Sequence, residues 1–82
     1  MIKGLPMDYR GIAAEWRNAQ PEHRAQRGIV LIWEGQVYGW KDKLREACHE
    51  RPNAIAVDAD GHVYKADGGN DNQGAAMWVV AD

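Results

Sequence analysis

The 82 residues, 45% hydrophobic and 27% charged, describe one small folded domain spanning 1–82. That composition excludes a disordered tail, and the length leaves little room for a deep catalytic pocket beside the core. A formal net charge of -2 excludes both a strongly basic polyanion binder and a densely acidic imitation of DNA.

Cys48 is the only cysteine, so no internal disulfide forms, and a reducing cytoplasm is the expected location. The opening MIKGLPMDYRG holds no signal-like apolar run, and the apolar stretch from Ile29 to Trp33 is far too short to span a bilayer. Charge is uneven along the chain. Residues 1–28 carry five basic and three acidic side chains, residues 29–53 carry four of each, and residues 54–82 set Lys65 against five aspartates.

In chain order, the first predicted element is a helix. Asp8 is placed to cap it, Met7 and Ile12 to form a hydrophobic staple, and Tyr9, Ile12, Ala13 and Trp16 to make one apolar stripe. Pro21 ends it near Ala19, and PEHRAQR forms a further turn that stops at Gly28.

The stretch Gly35-Gln36-Val37-Tyr38 then returns 26 residues later as Gly61-His62-Val63-Tyr64. Taking Glu34-Gly35 and Asp60-Gly61 as two-residue hairpin turns pairs Leu31 with Tyr38 and Ile29 with Trp40. The same rule pairs Val57 with Tyr64 and Ile55 with Ala66. The echo is thus expected to be scaffold. Val30, Ile32 and Val37 make the other face of the first hairpin apolar as well, so it needs cover on both sides. Whether the helix covers the Val30 face or the face of Tyr38 and Trp40 is open. Leu44, Ala47 and Cys48 suggest a short second helix, DGGNDNQG a turn-rich loop, and AAMWVV a last strand. The expected fold is α+β, an N-terminal amphipathic helix on an antiparallel β-meander of about five strands built from two hairpins.

Candidate sites are few. Asp58-Ala59-Asp60-Gly61 has part of a calcium-loop pattern, but Ala56 stands at the first ligand position and Asp67 at the twelfth, so a hairpin turn is expected. Cys48, His23, His49 and His62 have no metal-ligand spacing, and Cys48 is expected to be a small core side chain rather than a nucleophile. Gly68 to Gly74 lacks the strand, helix and lysine of a phosphate loop. No catalytic residue, metal or cofactor is assigned. Arg10, Arg17, Arg24 and Arg27 form a possible nucleic-acid-binding row, interrupted by Pro21 and by Asp8, Glu15 and Glu22. Trp40, Lys41, Lys43, Arg45 and Arg51, with Asn70 and Asp71, are the expected protein-contact surface.

The segments DYRGIAAEWRNAQPEHR, IVLIWEGQVYGWKDKLRE, ERPNAIAVDADGHVYKADGG and GAAMWV together resemble a family of small antirestriction proteins of the ArdR type. These occur on integrative and conjugative elements and plasmids of proteobacteria. The phrases VYGWKD and ERP-x-A-x-AVD carry the resemblance, which runs from Asp8 to Val79. It implies a noncatalytic cytoplasmic protein of a mobile element that helps incoming DNA escape restriction, with a host restriction or defence protein as partner. A small nucleic-acid-binding regulator of antirestriction or mobile-element genes is the alternative. A homodimer is also expected, because a shared interface enlarges so small a core.

Overall fold

Helix α1 (Tyr9–Ala19) begins where Asp8 accepts a hydrogen bond on its carboxylate from the Gly11 backbone N–H, and ends where Gln20 turns extended before Pro21. The computed structural model describes residues 8–81, without the side chain of Arg24. Met7, and with it the staple, lies outside the described residues. The PEHRAQR segment winds into a 3-10 turn, His23–Gln26, and Gly28 reverses the chain at φ 72°.

Five strands follow: β1 (Ile29–Trp33), β2 (Gln36–Lys41), β3 (Ile55–Val57), β4 (Val63–Asp67) and β5 (Met77–Val80). They form one sheet of order β2-β1-β3-β4-β5, antiparallel at every pairing. The α+β architecture is therefore as expected from the sequence. One connection departs from a simple meander, because β3 pairs with β1 instead of β2. The segment from Asp42 to Ala54 crosses the sheet to make that connection, and it supplies a cover for one face.

Both faces of β1 are thus buried, as its unbroken apolar run requires. On one face Ala13 of α1 packs with Val30, Ile32, Ile55, Val57 and Val63, and Tyr9, Ile12, Trp16, Val37 and Trp40 surround them. Full burial of a side chain such as Ile32 stabilises by about 2 kcal/mol. On the other face Ile29, Leu31 and Ala56 lie under Leu44, Tyr64 and Trp78. Beside them Ala47, Ala54, Ala66 and Ala75 let the crossing segment approach the sheet closely. The question of which face the helix covers is answered by Val30 and Ile32, joined by Trp40.

Two registers differ from those expected. In the first hairpin Trp33 pairs with Gln36 and Ile32 with Val37, as a two-residue turn demands, but Leu31 then pairs with Gly39 and Val30 with Trp40. A β-bulge at Tyr38-Gly39 inserts one residue and moves the Trp40 side chain to the helix face. There its indole lies against Gly28, where a Cβ would meet the ring at 2.7 Å. In the second hairpin Val57 pairs with Val63, Ala56 with Tyr64 and Ile55 with Lys65. The loop there is one residue longer than the two-residue turn. The Gly61 N–H donates to the Asp58 carbonyl, and Asp58 Oδ1 accepts from the N–H groups of Asp60 and His62. That single extra residue sends Val57 and Ile55 to the helix face, away from Tyr64 and Ala66. The short second helix is a single 3-10 turn, Ala47–His49.

Candidate functional site: an aromatic groove and a basic hollow

The crossing segment is fastened to the sheet by polar contacts. Glu50 is buried, and its two carboxylate oxygens accept from Tyr38 O–H and from Lys41 Nζ, each at 2.6 Å. The indole N–H of Trp78 donates to the Arg45 carbonyl at 2.7 Å. The loop 70–74 is latched to the same segment, since the Ala75 N–H donates to the Glu50 carbonyl and Gly74 lies directly on the Cys48 backbone. A Cβ at Gly74 would stand 2.0 Å from the Cys48 carbonyl oxygen, so only glycine fits. Asn70 shapes the loop by accepting on its side-chain oxygen from the N–H groups of Asn72 and Gln73.

This assembly leaves a groove of about 720 Å3 between the end of the first hairpin and the 70–74 loop. Trp33 and Tyr38 form its aromatic walls, and Arg51 lies over the Trp33 ring with its guanidinium carbon 4.1 Å from the centroid. His49, Asn72 and Gln73 also face it, and no described residue bonds any of those three side chains. The Tyr38 hydroxyl is held protonated well above its ordinary range, first by burial and then by its bond to the Glu50 carboxylate. It is therefore a fixed neutral donor. Polar side chains without internal partners beside rigid aromatic walls are what a binding groove requires.

A second, more open hollow of about 940 Å3 adjoins the first, and His49 lines both. Its other walls are Arg27, Trp40, Lys41, Asp42 and Arg45. Arg45 pairs with Asp42, Lys41 with Glu50, and the Trp40 indole N–H donates to the Arg27 carbonyl at 2.8 Å. The pairing with Arg45 holds the Asp42 carboxyl below the usual carboxylate range.

The residues expected to contact a protein divide between these hollows. Arg51 and Asp71 line the groove, while Trp40, Lys41 and Arg45 line the basic hollow. Lys43 is exposed beside the latter, and Asn70 shapes the groove's loop without lining it. Trp33, Tyr38 and Glu50 belong to the groove as well, although sequence alone did not single them out, and so do His49 and Gln73, weighed there only as a metal ligand and as part of a phosphate loop. Tyr38 carried one signal, its place beside the lone Gly39 of β2.

The row Arg10, Arg17, Arg24 and Arg27 does not form an exposed stripe. Arg17 is buried, and its guanidinium donates to the carbonyls of Ala25, Arg27, Gly28 and Val57 at 2.6 to 3.0 Å. Burial lowers its pKa from the ordinary arginine value, with Asp58 acting in the opposite sense. Arg10 donates to the Gly61 carbonyl at 2.6 Å, Arg27 lines the basic hollow, and the side chain of Arg24 lies outside the described residues.

Cys48 also departs from expectation. It is exposed and lines the groove, and Ala47 fills the core position instead. The ligand atoms of Asp58, Asp60 and His62 lie within 4.8 Å of one another on an exposed turn. Asp58 Oδ1 accepts the turn's own N–H groups there, in keeping with the hairpin reading. Among the described residues no helix is long and apolar enough to cross a membrane. Compared with protein families, with curated proteins and with solved structures, the chain finds no match.

Proposed function

We propose that the chain is a noncatalytic protein-interaction module of a mobile genetic element, acting in the cytoplasm by covering part of a host restriction or defence protein. The groove carries this reading. His49, Asn72 and Gln73 present hydrogen-bonding groups with no internal partner beside Trp33 and Tyr38, on a base fixed by the Glu50 contacts. Such a surface suits a segment of polypeptide, whose backbone amides match side-chain amides and whose apolar side chains match the aromatic walls. The antirestriction role rests on the resemblance in VYGWKD and ERP-x-A-x-AVD. It requires binding alone, with no bond made or broken.

The test is transfer of an unmodified plasmid into restricting and nonrestricting cells, with and without the protein. Protection confined to restricting cells, and reduced at least about tenfold by Arg51→Glu with Gln73→Ala, is the expected result. Asn18→Ala, on exposed α1 surface, serves as the control that keeps protection. No protection against any restriction type would overturn the role. Homodimerisation through exposed Met77 and Val80 of the edge strand β5 is proposed with it, and light scattering decides the stoichiometry.

A further inference from the structure

The basic hollow has a chemistry of its own. Three cations, Arg27, Lys41 and Arg45, line it against one carboxylate, Asp42, in a chain whose formal net charge is -2. Lys41 and Arg45 each have a carboxylate partner within the protein, and Glu50 offsets Lys41 from behind, where its side chain is only 7% exposed. Arg27 differs from both. Its side chain is exposed and no described residue bonds it, while its backbone carbonyl is engaged by Trp40 and Arg17. An exposed guanidinium on a fixed backbone, beside two further cations, suits a carboxylate.

We infer that the hollow formed by Arg27, Trp40, Lys41 and Arg45 receives an acidic stretch of the same partner segment that occupies the aromatic groove. This rests on the reading of the chain as a protein-binding module. His49 lines both hollows, so an extended segment crosses from one to the other without leaving the surface. The two ends differ in charge. Glu34 and Asp71 line the groove along with Arg51, whereas cations dominate the hollow. A nucleic acid carries a charge at every phosphate and would meet those carboxylates, while a polypeptide places its acidic residues at one end and neutral ones at the other.

The test uses a short labelled peptide with a run of glutamates at one end and neutral residues at the other. Its glutamine counterpart and a single-stranded oligonucleotide are the comparison probes. The glutamate peptide is expected to bind about tenfold tighter than the glutamine peptide, with the advantage shrinking as salt is added. Arg27→Glu is expected to abolish the difference, with Arg27→Ala intermediate, and both variants should melt as the parent does. Binding should shift the NMR signals of the Trp40 indole N–H and the Lys41 and Arg45 amides. Equal binding of the two peptides, an undiminished difference in Arg27→Glu, or tightest binding by the oligonucleotide would each overturn the inference. In plasmid transfer, Arg27→Glu that protects fully while Arg51→Glu with Gln73→Ala does not would sink this inference and spare the module. Lack of protection by the parent protein would sink the antirestriction role and leave the peptide titration to decide the hollow.

Discussion

The two hairpins carry the same phrase and use it differently. Val37 and Val63 both turn to the helix face, and Tyr38 and Tyr64 both turn to the other, so the echo does set which side each residue takes. The turns before them are not alike. Glu34 and Gly35 both have positive φ, at 50° and 81°, which makes a tight two-residue turn. In the second hairpin Gly61 alone is positive, at 89°, and Asp58 organises a longer loop. After the turns, a bulge frees Tyr38 to reach Glu50 at the groove, whereas Tyr64 stays paired with Ala56 against the core. A repeated sequence is scaffold in one copy and both scaffold and groove wall in the other, and the bulge makes the difference.

The strongest way to break the comparison is to cut what ties the two hairpins together. Arg17 bonds the carbonyls of Ala25, Arg27 and Gly28 ahead of the first hairpin, and that of Val57 at the turn end of the second. Arg17→Met keeps the volume and leaves buried carbonyls unsatisfied, so a loss of about 3 kcal/mol or more is expected in denaturant unfolding. A loss under 1 kcal/mol would mean that water replaces the guanidinium.

The tyrosines come next in size. Tyr38→Phe removes a hydrogen bond to a buried carboxylate and is expected to cost about 1 to 2 kcal/mol, while Tyr64→Phe, whose hydroxyl no described residue bonds, should cost a few tenths. The difference depends on pH. Because the folded pKa of Tyr38 is raised above its ordinary value of 10.0, its contribution is fully present below pH 10 and is lost as pH rises further. Urea unfolding of the parent and of Tyr38→Phe should therefore converge above pH 10. A constant gap would deny the bond to Glu50.

Much of the fold was legible because its signals are local. Asp8, the stripe from Tyr9 to Trp16, and the glycines at 28, 35 and 61 each act on the few residues beside them. The registers were not, because the bulge depends on Gly39 facing Leu31 and on Trp40 finding space over Gly28, both set by packing between distant residues. Arg17 was half legible. It follows Ala13 by four residues and so stands on the apolar stripe, where an arginine needs buried acceptors. The groove was the least legible part. Its base is the buried Glu50, and nothing near that residue in sequence announces that Tyr38 and Lys41 will meet it.

The smallest predicted effect separates the turns themselves. Glu34 is a non-glycine residue at positive φ, a conformation that costs most L-residues about 1 kcal/mol and asparagine less. Glu34→Asn supplies the Asn-Gly pair that such a turn favours, and is expected to stabilise by about 0.5 kcal/mol. Asp60 precedes Gly61 as Glu34 precedes Gly35, yet its φ is not positive, and its N–H, kept in asparagine, is what Asp58 binds. Asp60→Asn should therefore change stability by only a few tenths of a kcal/mol. Thermal unfolding of the two variants side by side reads the contrast. Equal gains from both would mean that the second hairpin also closes on two residues, and would return Val57 to the register opposite Tyr64.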